Sequence, residues 1–181
     1  MKGHALLIID MINALDFPEG EKLLATAKPA ARRIASLKQR LKPRGVPVIY
    51  VNDNYGQWRS DFKQVVARCA APDSLGAPLV TLLRPEEDDF FVLKPERSGF
   101  RDTPLRMLLG KLDAKTLILT GIALDACVLA TASDANMHGF KLHVPSDCVA
   151  SETPGRRTAS LKLLRDSLQV DTRPSRAITL R

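Results

Sequence analysis

The sequence predicts an α/β protein of three layers, α/β/α, built on an open, mainly parallel, Rossmann-like sheet of about six strands. Two patterns carry that prediction: short aliphatic runs that stop at a polar residue or glycine, and amphipathic helical segments lying between them. The composition agrees with it. A chain of 181 residues, 45% hydrophobic and 26% charged, can bury roughly 70% of its unfolded surface in one core, so residues 1–181 are expected to form a single domain.

Residues 5–9 are uniformly aliphatic and end in Asp10, as expected of a central parallel strand covered on both faces. From Pro29, the apolar residues Ala30, Ile34, Leu37 and Leu41 fall at helical spacing; Pro29 suits a first turn and Pro43-Arg44-Gly45 a stop. Residues 46–51 form the second run and lead into Asn52-Asp53-Asn54. The stretch 52–89 is irregular, with a short helix expected over 62–69, and carries too many large apolar groups for a tether, so it reads as an excursion beside an active site. A third strand over 90–93 meets Lys94, and Thr103-Pro104 opens a helix over 105–109 that Gly110 closes. Residues 116–120 run into Gly121, an Ala-rich helix over 126–138 ends at Gly139, residues 141–144 form a fifth strand, and a last helix is expected over 158–168.

Charge and cysteine content narrow the class. The chain has 27 Lys plus Arg against 20 Asp plus Glu, a net charge of +7, and seven of the basic residues lie between Lys28 and Arg44 with no acid among them. That run reads as the solvated outer face of one helix. It lacks interleaved aromatics and any nucleic-acid motif, so no nucleic-acid partner is expected. No apolar run nears the ~20 residues that span a bilayer, so no membrane partner is expected, and residues 5–9 are too short for a signal-peptide core. Cys69, Cys127 and Cys148 form no CxxC pair, which argues against a zinc site or disulfide scaffold and for a cytoplasmic setting.

In an open parallel sheet, ligands bind beyond the carboxyl ends of the strands. Asp10, Asn52 with Asp53, Lys94 and Cys127 all fall at such ends. An acid, an ammonium and a thiol in one crevice make a nucleophile with its own proton carrier. A thiol at a helix N-terminus near Lys94 would have its thiolate favoured, and the free N–H groups there could hold an oxyanion. Cys127 could equally be a small packed residue, and Asp10 with Lys94 a structural ion pair. His4, His138 and His143 are poorly placed to serve as a base for Cys127.

The chain resembles the isochorismatase-like cysteine hydrolases, a superfamily that includes nicotinamidases, N-carbamoylsarcosine amidases and ureidoacrylate amidohydrolases. The resemblance rests on Asp10-Met11-Ile12-Asn13 with Phe17, on Lys94-Pro95-Glu96-Arg97-Ser98-Gly99-Phe100, on Gly121-Ile122-Ala123-Leu124-Asp125-Ala126-Cys127-Val128, and on Asp147-Cys148-Val149-Ala150, in that order from Leu6 to about Glu152. It implies Asp10 as general base and acid, Lys94 as electrostatic partner and Cys127 as nucleophile, cleaving a C–N bond of a small amide, ureido or carbamoyl compound through a thioester. It also implies a cis peptide at Ile122-Ala123, an oxyanion site from the Ala123 and Cys127 amides, and a homo-oligomer, dimer or tetramer.

The chain departs from that pattern in two places. Nicotinamidases carry an Asp-x-His pair and a further His as metal ligands after the second strand. Here Asn52-Asp53-Asn54 is followed by no His as far as Asp89, so no metal or other cofactor is expected and Asp53 reads as a turn residue. Leu124 stands where many members have Thr. Asn13, Phe17, Tyr55, Trp58, Phe100 and Leu124 are candidates to line the substrate pocket, the rings serving either contact or packing, and Arg59 or Arg97 could receive a carboxylate. Two other functions remain open: vinyl ether hydrolysis with Asp10 as acid, as in isochorismatase itself, and a non-catalytic binding protein using the basic helix.

Overall fold

The computed structural model describes residues 3–55 and 61–178. The chain runs β1 (His4–Ile9), α1 (Gly20–Leu41), β2 (Val48–Asp53), α2 (Phe62–Cys69), α3 (Ala77–Leu82), β3 (Phe90–Lys94), α4 (Leu105–Lys111), β4 (Thr116–Gly121), α5 (Leu129–Met137), β5 (Lys141–His143) and α6 (Pro154–Asp166). All strand pairs are parallel, in the order β3-β2-β1-β4-β5. The chain builds outward from β1 to β3, then crosses back to lay β4 on the other side of β1. The order therefore reverses between β1 and β4, which places the ligand crevice at their carboxyl ends.

Alternation along the strands supplies both faces of the sheet. Leu6, Ile8, Val48 and Tyr50 join the core under α1, α2 and α3. Ala5, Leu7, Ile9, Ile49 and Val51 join the core under α4, α5 and α6. Among the described residues the sheet has five strands, one fewer than expected. The C-terminal segment contributes only a single bridge, Asp171 to His143, before Arg173-Pro174, and a proline has no N–H with which to extend the ladder.

The helices depart from expectation in instructive ways. α1 begins nine residues before Pro29, which lies inside it on the exposed face beside the equally exposed Ala25, so the carbonyl that loses its bond faces water. α2 matches its expected span, with the Asp61 carboxylate accepting from the Gln64 N–H at 2.8 Å. α3 was not foreseen, and its Pro78 occupies the first turn that proline favours. α4 continues one residue past Gly110, and α6 starts at Pro154, capped by Thr153. The helix expected from Ala126 is interrupted: Leu124–Val128 form a single π turn, and α5 follows from Leu129. The basic run is not wholly a solvated face either. Lys38 is buried, and Lys42 gathers Glu86, Asp88 and Asp89 from the loop before β3.

Candidate active site

Asp10 leaves β1 with φ of 50°, a left-handed conformation that Asp tolerates better than most residues, and its N–H still bonds the Val51 carbonyl at 2.9 Å. Gly121 ends β4 at φ of 113°; a Cβ there would stand 2.0 Å from the Ile9 carbonyl oxygen, so only glycine lets the two strand ends approach this closely. The Ile122–Ala123 peptide is cis, and the chain then enters the π turn that carries Cys127. Such turns recur at functional sites.

Lys94, at the end of β3, is the centre of the cluster. Its ammonium lies 2.9 Å from Asp10 Oδ2 and donates to Cys127 Sγ at 3.5 Å and to the Glu96 carbonyl at 3.2 Å. Asp53 stands 3.8 Å away on its fourth side. Asp10 Oδ1 accepts from the Asp53 N–H at 2.8 Å, and the Cys127 thiol faces the same carboxylate. Lys94 has no exposed surface and Asp10 almost none, whereas Cys127 is partly open.

Burial raises the Asp10 carboxyl above its usual range, although Lys94, Cys127 and the Asp53 N–H all pull it down. Burial also works against the Lys94 charge, but Asp10, then Cys127, overcome it and hold the ammonium above its ordinary value. The Cys127 thiol is pushed up to about 12, by burial first and the Asp10 charge second, with Lys94 only partly offsetting them. The sequence pointed to two influences that favour the thiolate, and burial with Asp10 opposes them. Burial and the nearby carboxylate together outweigh the ammonium.

The remaining candidates divide. Asn13 Oδ1 accepts from the Leu15 N–H at 2.8 Å, which shapes the loop after β1. The Tyr55 hydroxyl donates to the Ile12 carbonyl at 3.2 Å and pins that loop to β2. Phe100 is spent on packing, its ring 5.2 Å from His138 and 5.9 Å from Phe140, and Leu124 is wholly buried in the core under α4, α5 and α6. Phe17 is exposed and lines a groove of about 720 Å³ with Leu15, Glu21, Arg68 and Ser74, next to the loop that follows Asp10. Arg97 is exposed, and Trp58 and Arg59 lie outside the described residues. Sequence reasoning missed the Glu96 carbonyl on Lys94, and it placed Asn52 at a strand end without a role; its side chain donates to the Ile12 carbonyl at 2.6 Å. A carbonyl leaves no mark in residue identity, whereas Asn52 was visible as a polar residue ending a strand run. Among the described residues, no three His, Cys, Asp or Glu side chains gather to hold a metal ion.

A thiol, a carboxylate and an ammonium gathered at the switch point of a parallel α/β sheet place the chain in the class of open α/β folds with reactive groups in the crevice. The chain belongs to the isochorismatase family, whose domain matches residues 4–172, and it is an isochorismatase-family hydrolase. It is 37% identical over 164 residues to the isochorismatase family protein YaaI of Bacillus subtilis, covering 91% of this chain and 90% of that protein. The ureidoacrylate amidohydrolase RutB of Methylorubrum extorquens is 28% identical over 157 residues, 71% of this chain and 62% of that protein. The solved structure of N-carbamoylsarcosine amidase from Thermoplasma acidophilum superposes with a TM-score of 0.74 at 26% identity, covering 99% of this chain and all of that one. No helix among the described residues is long and apolar enough to cross a membrane.

Proposed function

We propose that the protein hydrolyses a C–N bond of a small amide, ureido or carbamoyl compound through a thioester on Cys127. The observation that carries this is the position of the Lys94 ammonium, 2.9 Å from Asp10 and 3.5 Å from Cys127 Sγ. Asp10 takes the thiol proton as sulfur attacks the carbonyl carbon, and its raised proton affinity suits it to that step. Lys94 keeps the charge balanced as the negative charge moves from carboxylate to sulfur. The Ala123 N–H makes none of the described hydrogen bonds, and with the Cys127 N–H it is assigned to the oxyanion. Collapse of the tetrahedral adduct expels the amine, which takes the proton from Asp10. Water, deprotonated by Asp10, then attacks the thioester, and the thiol leaves with that proton.

Two relatives named for amide or ureido hydrolysis support the substrate class. The burial of Lys38 leaves less of the basic helix for a polyanionic partner than the sequence implied. The test is ammonia release from a panel of small amides and ureido compounds, with Cys127→Ala as the blank. Turnover by the wild type alone is expected; turnover by Cys127→Ala would overturn the thioester route and favour acid catalysis by Asp10.

A further inference from the structure

We propose that Asp53 determines specificity in this crevice, selecting uncharged or cationic carbonyl compounds and turning away those with a carboxylate near the scissile bond, in contrast to the carboxylate-bearing ureidoacrylate and N-carbamoylsarcosine for which two relatives are named. The inference rests on the proposed site and deepens it. Asp10, Lys94 and Cys127 are together neutral whichever of Asp10 and Cys127 holds the shared proton. Asp53 therefore adds one negative charge beside a neutral set.

Its geometry is that of a built-in group. Asp53 Oδ1 accepts the Tyr55 N–H at 2.5 Å, in a turn where Tyr55 adopts φ of 54° and its hydroxyl is anchored on Ile12. Oδ2 lies 3.8 Å from the Lys94 ammonium, which in turn is 3.5 Å from the nucleophilic sulfur. The N–H of the same residue bonds Asp10, and the carboxylate cannot swing away without giving up the bond from the Tyr55 N–H. Yet the side chain is 42% exposed, against none of Lys94, so it faces the approaching molecule. Lys94 is already engaged by Asp10, the thiol and the Glu96 carbonyl and cannot also serve as a carboxylate receptor. Arg156, the cation nearest Asp125 on the other side of the nucleophile turn, is occupied by Glu152 and Asp125. A fixed, half-exposed charge within several ångströms of the reacting carbon acts through protein as much as water. That separation is expected to give about tenfold discrimination between a neutral and an anionic reactant.

Alkylation of Cys127 reads this field without requiring a substrate. Iodoacetamide and iodoacetate place neutral and anionic groups on the same sulfur, and labelling of the Cys127 peptide gives their rate ratio. The same chain unfolded in denaturant gives the intrinsic ratio. The folded protein is expected to favour iodoacetamide by about tenfold more than the unfolded chain, Asp53→Asn to bring the ratio within about twofold of it, and Asp53→Glu to retain the preference. Equal ratios in the folded and unfolded wild type would overturn the proposal whether or not the variants fold, as would an unchanged ratio in folded Asp53→Asn. Turnover by Cys127→Ala would overturn the thioester mechanism and leave the labelling ratio untouched, so the two failures are distinguishable.

Discussion

Among the described residues two lysines lie buried, each beside an aspartate, and they have opposite surroundings. Lys38, on α1, is 5% exposed; its ammonium is 2.5 Å from Asp89, 2.9 Å from Glu86 and 3.3 Å from the Tyr50 hydroxyl. Its neighbourhood is saturated: Tyr50 passes its own proton to the Leu83 carbonyl, and Asp89 also accepts from Lys42 and from the Glu86 N–H. Lys94, on β3, meets one carboxylate at contact distance and spends another donor on a thiol, a weak acceptor. A buried cation whose partners are all strong ties two segments together. One that is given a soft nucleophile in place of an oxygen is held ready for charge to appear there.

Exchange of each lysine for methionine tests that contrast most severely. Lys94→Met is expected to lower kcat/KM at least ~10³-fold, because both proton transfer and thiolate formation lose their counter-charge. Lys38→Met is expected to leave the rate per folded molecule unchanged and to cost about 3 kcal/mol in urea unfolding, since it strips one partner from a buried pair. If Lys38→Met lost activity with its stability intact, the distinction between the two sites would fail.

The state of the thiol sharpens the comparison further. With Cys127 raised to about 12, the free protein should show no thiolate absorbance near 240 nm across neutral pH, and absorbance should rise only in strong alkali. An absorbance step at or below pH 8 that Cys127→Ala removes would mean that Lys94 dominates Asp10 in the resting site.

A smaller effect belongs to Asp171, which closes the β5 end of the sheet. Hydrogen bonds from Arg173 hold its carboxyl down at about 2. A depressed carboxyl stabilises the fold above its unfolded value near 4 and loses that contribution as pH falls toward 2. Because Arg173 is mostly exposed, Asp171→Asn is expected to cost about 1 kcal/mol at neutral pH and only a small fraction of that at pH 2 in thermal unfolding. A difference that persisted undiminished at pH 2 would place the loss in packing.

Strand positions were legible because burial on both faces leaves unbroken aliphatic runs, and each of the five runs identified became a strand. Helix starts were less legible. Residues 20–28 mix Glu21, Lys22 and Lys28 into the first turns of α1, so in sequence the apolar stripe begins at Pro29. The three residues around Lys94 in space were legible for a different reason: each is a reactive side chain at the end of a strand pattern, and a parallel sheet brings such ends together. Phe100 and Leu124 misled because large apolar side chains near a site look the same in sequence whether they face it or the core.

The sequence by itself determined the parallel sheet, its crevice and the chemical set of Asp10, Lys94 and Cys127, since these follow from local periodicity and residue type. Only the tertiary structure decided which charges govern that set. Burial together with Asp10 pushes the Cys127 thiol up, Asp89 draws Lys38 out of a basic face into the interior, and the turn at Tyr55 fixes Asp53 beside Lys94. Electrostatic energies depend on distance and on exclusion of water, and neither exists until segments far apart in the chain are packed together.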